Sequence, residues 1–282
     1  HYDTAALGKA VESGHIEVVK VLLKAATNMQ IPLLDIPRAL NQAASKGNVE
    51  IMQMLLDHGV NINEKSFGRT ALHSAIYKGQ SESIKFLIKN GASISITSYS
   101  KETMVDFVCK SRSDNLQGAS EEKQIENMTI LLDAGYDVSA KDEYGVMAVH
   151  SAAKMGSWNL ISLLNKYGAD LTATTNDAAT ILQIALEYGN TVLADKLIDF
   201  GLDLSAVTVD GKTLMHIAAQ KGQTEIVRKL LDNGLDLSAV TPDGKKLYVT
   251  LAKDSAVGVV DIAENRKLKT IEVEDAPAQI YA

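Results

Sequence analysis

The sequence predicts a mainly α protein: a solenoid of about seven helix-turn-helix repeats joined by β-hairpin connections, followed by a small C-terminal antiparallel β-meander. Three observations carry this. Glycines follow amphipathic stretches at Gly59, Gly91, Gly135, Gly168, Gly201 and Gly234, with gaps of 32, 44, 33, 33 and 33 residues. Most have a second glycine twelve residues earlier, at Gly47, Gly79, Gly156, Gly189 and Gly222. After Lys245 the apolar period changes from three-and-four to two. Two helices of about ten residues cannot bury their apolar faces alone, so a unit recurring at this period must stack on its neighbours.

Composition narrows the function classes. A chain of 282 residues with 46% hydrophobic content can bury a core, and wholesale disorder is excluded. The net charge of -7, with no run of Lys and Arg, would repel a phosphate backbone, so nucleic acid is not an expected partner. No apolar run reaches membrane-spanning length, and no membrane insertion is expected. Cys109 is the single cysteine, which excludes an intramolecular disulfide and a Cys-based zinc site. That usage fits a reducing, cytoplasmic setting; the chain starts at His1 instead of Met, which leaves a secreted or surface location open.

Taken in order, the first unit, "LGKAVESGHIEVVKVLLKAA" from Leu7, has no hairpin and carries Ala26 where later units carry glycine, as an end repeat or a truncated one would. The stretches "NVEIMQMLLDH", "QSESIKFLIKN" and "QTEIVRKLLDN" are amphipathic helices, each ended by a glycine able to take positive φ. Ahead of the inner glycines, "TALHSAIYK", "TILQIALEY" and "TLMHIAAQK" form a second helix, with Thr70, Thr180 and Thr213 as N-caps. In the fourth unit the gap of 44 exceeds the period by eleven. The surplus, "SDNLQGASEEK" (Ser113 to Lys123), is polar and predicts an exposed loop: either tolerated surface drift or a partner-specific finger.

"FGRTALHSAIYKGQSESIKFLIKNGASIS" and "DGKTLMHIAAQKGQTEIVRKLLDNGLDLS" follow a G-x-T-P-L-H, A-A, G, LL, G-A-D pattern. In this the chain resembles the ankyrin repeat family over roughly residues 7–239, within a domain expected at 1–240 with an inserted loop at 113–123. The resemblance implies a non-enzymatic scaffold that binds a protein partner through hairpin tips and inner helices. Aligned on the glycines, that side receives Ser66, Phe67, Arg69, Tyr77 and Lys78 from the third repeat. The fifth supplies Glu143, Tyr144, Lys154 and Met155, the sixth Asn176, Asp177, Glu187 and Tyr188, and the seventh Lys212 and Gln220. In a chain with 5% aromatics, Phe67, Tyr77, Tyr144 and Tyr188 are candidate anchors, although single exposed aromatics are also ordinary.

Chemistry-bearing residues favour binding over catalysis. His73, His150 and His216 lie 77 and 66 residues apart, multiples of the period once the eleven-residue surplus is removed, so all three hold one repeat position. Equivalent residues in a stack sit about 10 Å apart, whereas zinc ligands share an ion about 2 Å from each. A structural role bonding backbone at the turn into the helix is expected, with Asp106 and Gln183 in the same slot elsewhere. No G-x-S-x-G, H-E-x-x-H or Walker-type loop is present, and neither a cofactor nor a catalytic or metal-ligating set is expected. Cys109 falls where other repeats place the small alanine of "AA" and predicts buried packing; Trp158, opening an outer helix, predicts core or rim.

The last segment repeats a lead-in: "GLDLSAVTVDGK" (201–212) returns as "GLDLSAVTPDGK" (234–245). Both hold a turn closed by a left-handed glycine, but Thr213 can cap a helix and Lys246 cannot. "KLYVTLA" then alternates Leu247, Val249 and Leu251 against Tyr248 and Thr250, and "AVGVVDIA" and "LKTIEV" follow as further strands. The tail, 241–282, resembles one blade of the YVTN-type β-propeller repeat. One blade cannot close a propeller. Three readings stay open: the chain is a piece of a longer propeller-containing enzyme or ligand-binding protein, with the repeats as its targeting module; the sheet caps the last repeat; or its strand edges pair with another chain in self-association.

Overall fold

The structure, a computed structural model, describes residues 5–29, 36–110, 120–235, 246–251, 256–261 and 266–272, with side chains as far as residue 235. The chain divides into two compact units, His1–Asp137 and Val138–Ala282. In the first, four helix pairs follow one another: α1 Ala5–Glu12 with α2 Ile16–Met29, α3 Ile36–Lys46 with α4 Val49–Asp57, α5 Ala71–Tyr77 with α6 Ser81–Lys89, and α7 Met104–Lys110 with α8 Glu121–Asp133. The second holds three: α9 Ala148–Met155 with α10 Trp158–Lys166, α11 Ile181–Glu187 with α12 Thr191–Asp199, and α13 Leu214–Lys221 with α14 Thr224–Asp232.

Inner helices pack on inner helices, α1 on α3 on α5 on α7 and α9 on α11 on α13, with outer helices α2, α4, α6 and α8 layered behind in the first unit. The cores are aliphatic and closed: Leu40, Ala43, Leu72, Ile76, Val105 and Phe107 are all buried in the first unit, and Val149, Leu182, Leu186, Leu214 and Ile217 in the second. Small alanines at 43, 75, 152, 185 and 218, each without exposed surface, let successive inner helices approach closely.

Glycine placement sets helix length. The outer helices α4, α6, α10, α12 and α14 each run nine residues and stop just before a left-handed glycine, such as Gly91 at φ 90° or Gly168 at φ 88°. Where Ala26 stands in that register, α2 continues to Met29 over 14 residues. Of the expected insertion 113–123, residues 113–119 lie outside the described ones. Ser120 caps α8, its hydroxyl accepting from Lys123 N, and Glu121–Lys123 form the first turn, which carries that helix to 13 residues.

Beyond residue 245 the backbone forms β1 Lys246–Leu251, β2 Ala256–Asp261 and β3 Arg266–Glu272, paired antiparallel in that order with a register shift at Val259/Val260. The buried side chains of the described residues all lie within the helix-pair repeats, and the expected fold class, a solenoid plus a C-terminal β-meander, is corrected to a mainly helical repeat solenoid. The turn expected at 241–244 lies outside the described residues, whereas its earlier copy closes as expected: Thr208 N donates to Lys212 O at 3.0 Å, Gly211 N to Thr208 O at 2.8 Å, and Gly211 takes φ 79°.

Candidate interaction surface

The faces that could meet a partner are the hairpin tips and the solvent side of the inner helices, and one polar slot at the start of each inner helix positions both. In the first unit, Thr70 N donates to His73 Nδ1 at 3.1 Å, while His73 is fully buried. In the fourth repeat Thr103 N donates to Asp106 Oδ2 at 2.8 Å. In the second unit Met147 N donates to His150 Nδ1, Thr180 N to Gln183 Oε1 and Thr213 N to His216 Nδ1, at 3.0, 2.9 and 3.2 Å. Three chemically different side chains do the same work, accepting from the otherwise orphaned N-cap amide. The turn-bonding role expected of the histidines is what the geometry shows. Among the described residues no group of three or more His, Cys, Asp or Glu is placed to hold a metal ion.

On the first unit, Ser66 N donates to Arg69 O at 2.9 Å and Arg69 N to Ser66 O at 3.1 Å. Between them Phe67 takes φ 50° and Gly68 φ 81°, the mark of a two-residue turn with both central residues left-handed. Phe67 is 83% exposed, and the Arg38 guanidinium lies 5.4 Å from its ring centre. Tyr99 N donates to Gly68 O at 3.1 Å and its ring lies against that glycine, so closely that a Cβ on Gly68 would meet Tyr99 Cδ2 at 2.9 Å. Lys65 Nζ stands 5.5 Å from the Tyr99 ring centre. Arg69, exposed, lays its guanidinium over half-buried Tyr77 at 5.6 Å and over buried Phe107 at 5.0 Å, and Lys78 approaches Tyr77 at 5.4 Å. Ser66, Phe67, Arg69, Tyr77 and Lys78 thus share one face, to which the structure adds Arg38, Lys65 and Tyr99. Tyr99 was legible as the fourth repeat's equivalent of Ser66 had that repeat been aligned from its own Thr103.

On the second unit the turns are one residue longer, closed by Asp142 N to Val146 O and Thr175 N to Ala179 O. They interlock: Asn176 N donates to Tyr144 O at 2.9 Å and Asn176 Nδ2 to Glu143 O at 3.0 Å, and Val209 N donates to Asp177 O at 3.0 Å. Glu143, Tyr144, Lys154, Asn176, Asp177, Tyr188 and Gln220 are exposed, and Met155, Glu187 and Lys212 half-buried. Lys154 Nζ sits 4.8 Å from the Tyr188 ring centre. A cavity of about 390 Å³ opens between the sixth and seventh repeats, lined among others by Asp177, Gln183, Glu187, Val209, Asp210 and Lys212. Lys212 pairs with Asp210 at 2.8 Å and Lys221 with Glu187 at 3.0 Å, which leaves the tips of this unit predominantly acidic. Val209 and Asp210 hold the aligned slots of Asn176 and Asp177, so the same repeat register pointed to them.

Away from these faces, Cys109 is half-buried, and burial followed by the Asp106 carboxylate pushes its thiol well above the ordinary range, so it does not present a thiolate. Trp158 is half-buried at a rim, its ring 5.7 Å from Phe200 in an edge-to-face contact.

The family model for ankyrin repeats (three copies) matches residues 7–98, 116–206 and 160–241. No match supports a propeller blade in the tail, so the YVTN-type resemblance is not carried further. Among curated proteins none matches the chain. The crystal structure of the human ASB11 ankyrin repeat domain is similar, with a TM-score of 0.60 at 22% identity over 73% of this chain and 88% of that one. That likeness is one of fold and is helical, which agrees with the corrected fold class. No helix among the described residues is long and apolar enough to cross a membrane. With family-model matches over most of its length and helix pairs in the matching register, the chain belongs to the ankyrin repeat family.

Proposed function

We propose that this chain is a non-enzymatic interaction module that binds a protein partner through the hairpin tips and inner-helix faces of its repeats. The carrying observation is the exposure of three aromatics on those faces: Phe67 at 83%, Tyr144 at 66% and Tyr188 at 56%. Phe67 and Tyr144 occupy equivalent tip slots, three residues before Thr70 and Met147. Rigid aromatics that keep a polar or cationic neighbour while showing a ring face to water are the residue type that dominates interface energetics. The fold supports the reading, because a stack of helix pairs presents a broad surface and no enclosed reaction centre.

The test compares in-cell cross-linking of the parent with a Phe67→Ser/Tyr144→Ser/Tyr188→Ser variant and with Val192→Ser, which alters an exposed valine on outer helix α12. Proteins captured by the parent and by Val192→Ser, and lost from the triple variant, support the reading. Identical capture by all three rejects it.

A further inference from the structure

We propose that the third-repeat hairpin of the first unit recognises an acidic, extended segment of the partner, seating an apolar side chain on Phe67 and carboxylates at Lys65 and Arg69. The inference rests on the interaction reading above and adds to it the chemistry of the ligand.

The tip is built unlike its counterparts. The other hairpins among the described residues use a longer turn with one left-handed residue, Lys101, Gly145, Ala178 or Gly211. The third repeat uses the shorter turn, whose first central position favours Asn, Asp or Gly. Phenylalanine there is strained backbone carrying the most exposed large apolar side chain of the described residues. Packing does not explain it, since the ring contributes little burial. A strained residue that buries nothing in the free protein is a candidate for doing so in a complex.

The surroundings supply the charge. Arg38 lies on Phe67, the Phe67-Gly68 turn lies under Tyr99, Lys65 lies on Tyr99, and Arg69 lies on Tyr77, so ring faces and cations form one continuous patch. Glu64 is the acidic residue of this loop, and the patch is net positive on a chain of net charge -7. Buried His73 registers the same field: after burial itself, Lys65 and Arg69 are what depress its pKa, to about 4. The second unit's tips, with Glu143 and Asp177, carry the opposite sign and would turn an acidic segment away. Cations already laid on aromatic faces are pre-organised, so pairing them with carboxylates costs little further side-chain ordering.

The experiment titrates the full chain with dye-labelled dodecapeptides of three compositions around a central Leu or Phe: Asp/Glu-rich, the Asn/Gln isosteres, and Lys/Arg-rich. The acidic series should bind about tenfold tighter than the amide series, and added salt should erase most of the difference. Phe67→Gly should remove the binding without lowering the melting temperature, because glycine relieves the left-handed position; a merely structural Phe67 would lower it. Arg69→Gln should remove the acidic preference. Equal binding of acidic and amide peptides, preference for the basic series, no measurable binding of the acidic series, or binding that survives Phe67→Gly would each overturn the proposal. If cross-linked capture still depends on Tyr144 and Tyr188 in that case, the interaction reading stands and this inference alone fails; capture indifferent to all three aromatics removes both.

Discussion

His150 Nε2 lies 3.1 Å from the carbonyl oxygen of Ala173, twenty-three residues further along the chain, while its Nδ1 accepts from Met147 N at 3.0 Å. One ring therefore ends its own helix's orphaned amide and reaches the loop of the next repeat. Gln183 does the same with an amide, its Oε1 on Thr180 N and its Nε2 donating to Ala206 O at 3.0 Å, again twenty-three residues on. In these two repeats the slot uses an acceptor and a donor about one ring apart, which imidazole and carboxamide both supply.

His150→Gln should then fold with a stability within about 1 kcal/mol of the parent, since glutamine already serves at 183. His150→Leu leaves a buried amide and a carbonyl without partners and should cost about 2 to 4 kcal/mol. Urea midpoints of the two variants check this. Equal loss in both would show that ring shape, and not hydrogen bonding, is what the slot selects.

Acid should weaken the first unit through His73. Burial, then Lys65 and Arg69, lower its pKa from 6.5 to about 4 in the folded chain. Between those values the unfolded chain takes up a proton that the folded chain refuses, so stability is full above pH 6.5 and is lost as pH falls toward 4. The loss between pH 7.5 and 5 is about 2 kcal/mol. His73→Gln keeps the bracket without the titration, and its urea midpoint should fall less over the same range. Parallel pH profiles for parent and variant would refute the assignment.

Ala178 occupies a left-handed position at φ 58°, where its equivalents Gly145 and Gly211 are glycines. Relief of that strain outweighs the added freedom of glycine in the unfolded chain, so Ala178→Gly should raise stability by about 0.5 to 1 kcal/mol. A higher melting temperature is the readout. The gain would show that alanine at this tip persists against the fold's own preference.

Cys109 should resist alkylation. Burial and the neighbouring Asp106 hold its thiol in the protonated form, which is a poor nucleophile. Iodoacetamide at mildly alkaline pH should modify the folded chain at least about tenfold more slowly than the chain in denaturant. Comparable rates would mean that the sulfur is reached as a thiolate.

The repeat was legible because its signal is periodic: glycines at 59, 91, 168, 201 and 234 place the ends of α4, α6, α10, α12 and α14, and Thr70, Thr180 and Thr213 place three inner starts. The histidine slot was legible for the same reason, since a 33-residue multiple fixes position without contact information. Much of the first unit's face was not. Arg38 belongs to a different helix from Phe67, and their stacking depends on how α3 lies beside the next hairpin, which no local pattern encodes. The left-handed Phe67 was hidden as well, because "SFGR" differs from the "TVDG" turn by a register that the sequence alone does not settle. Alternation after Lys245 misled the fold class, because a period of two reports a local backbone preference and not a packed layer.

Gly145 tests how tightly neighbouring hairpins of the second unit are locked. It takes φ 73°, and a Cβ there would lie 2.5 Å from Asn176 Oδ1 and 2.8 Å from Asn176 N. The side-chain oxygen could rotate away, but the backbone nitrogen could not without giving up its 2.9 Å bond to Tyr144 O. Gly168, at φ 88°, has open space where its Cβ would stand, so alanine there meets only the left-handed penalty of about 1 kcal/mol. Gly145→Ala adds the displaced hydrogen bond and should cost about 2 to 3 kcal/mol. It should also raise amide exchange at Asn176 and Val209, the two donors that tie successive tips together. Equal destabilisation by the two alanines, with unchanged exchange at Asn176, would mean that the tips move independently and that the interlock does not hold this surface in shape.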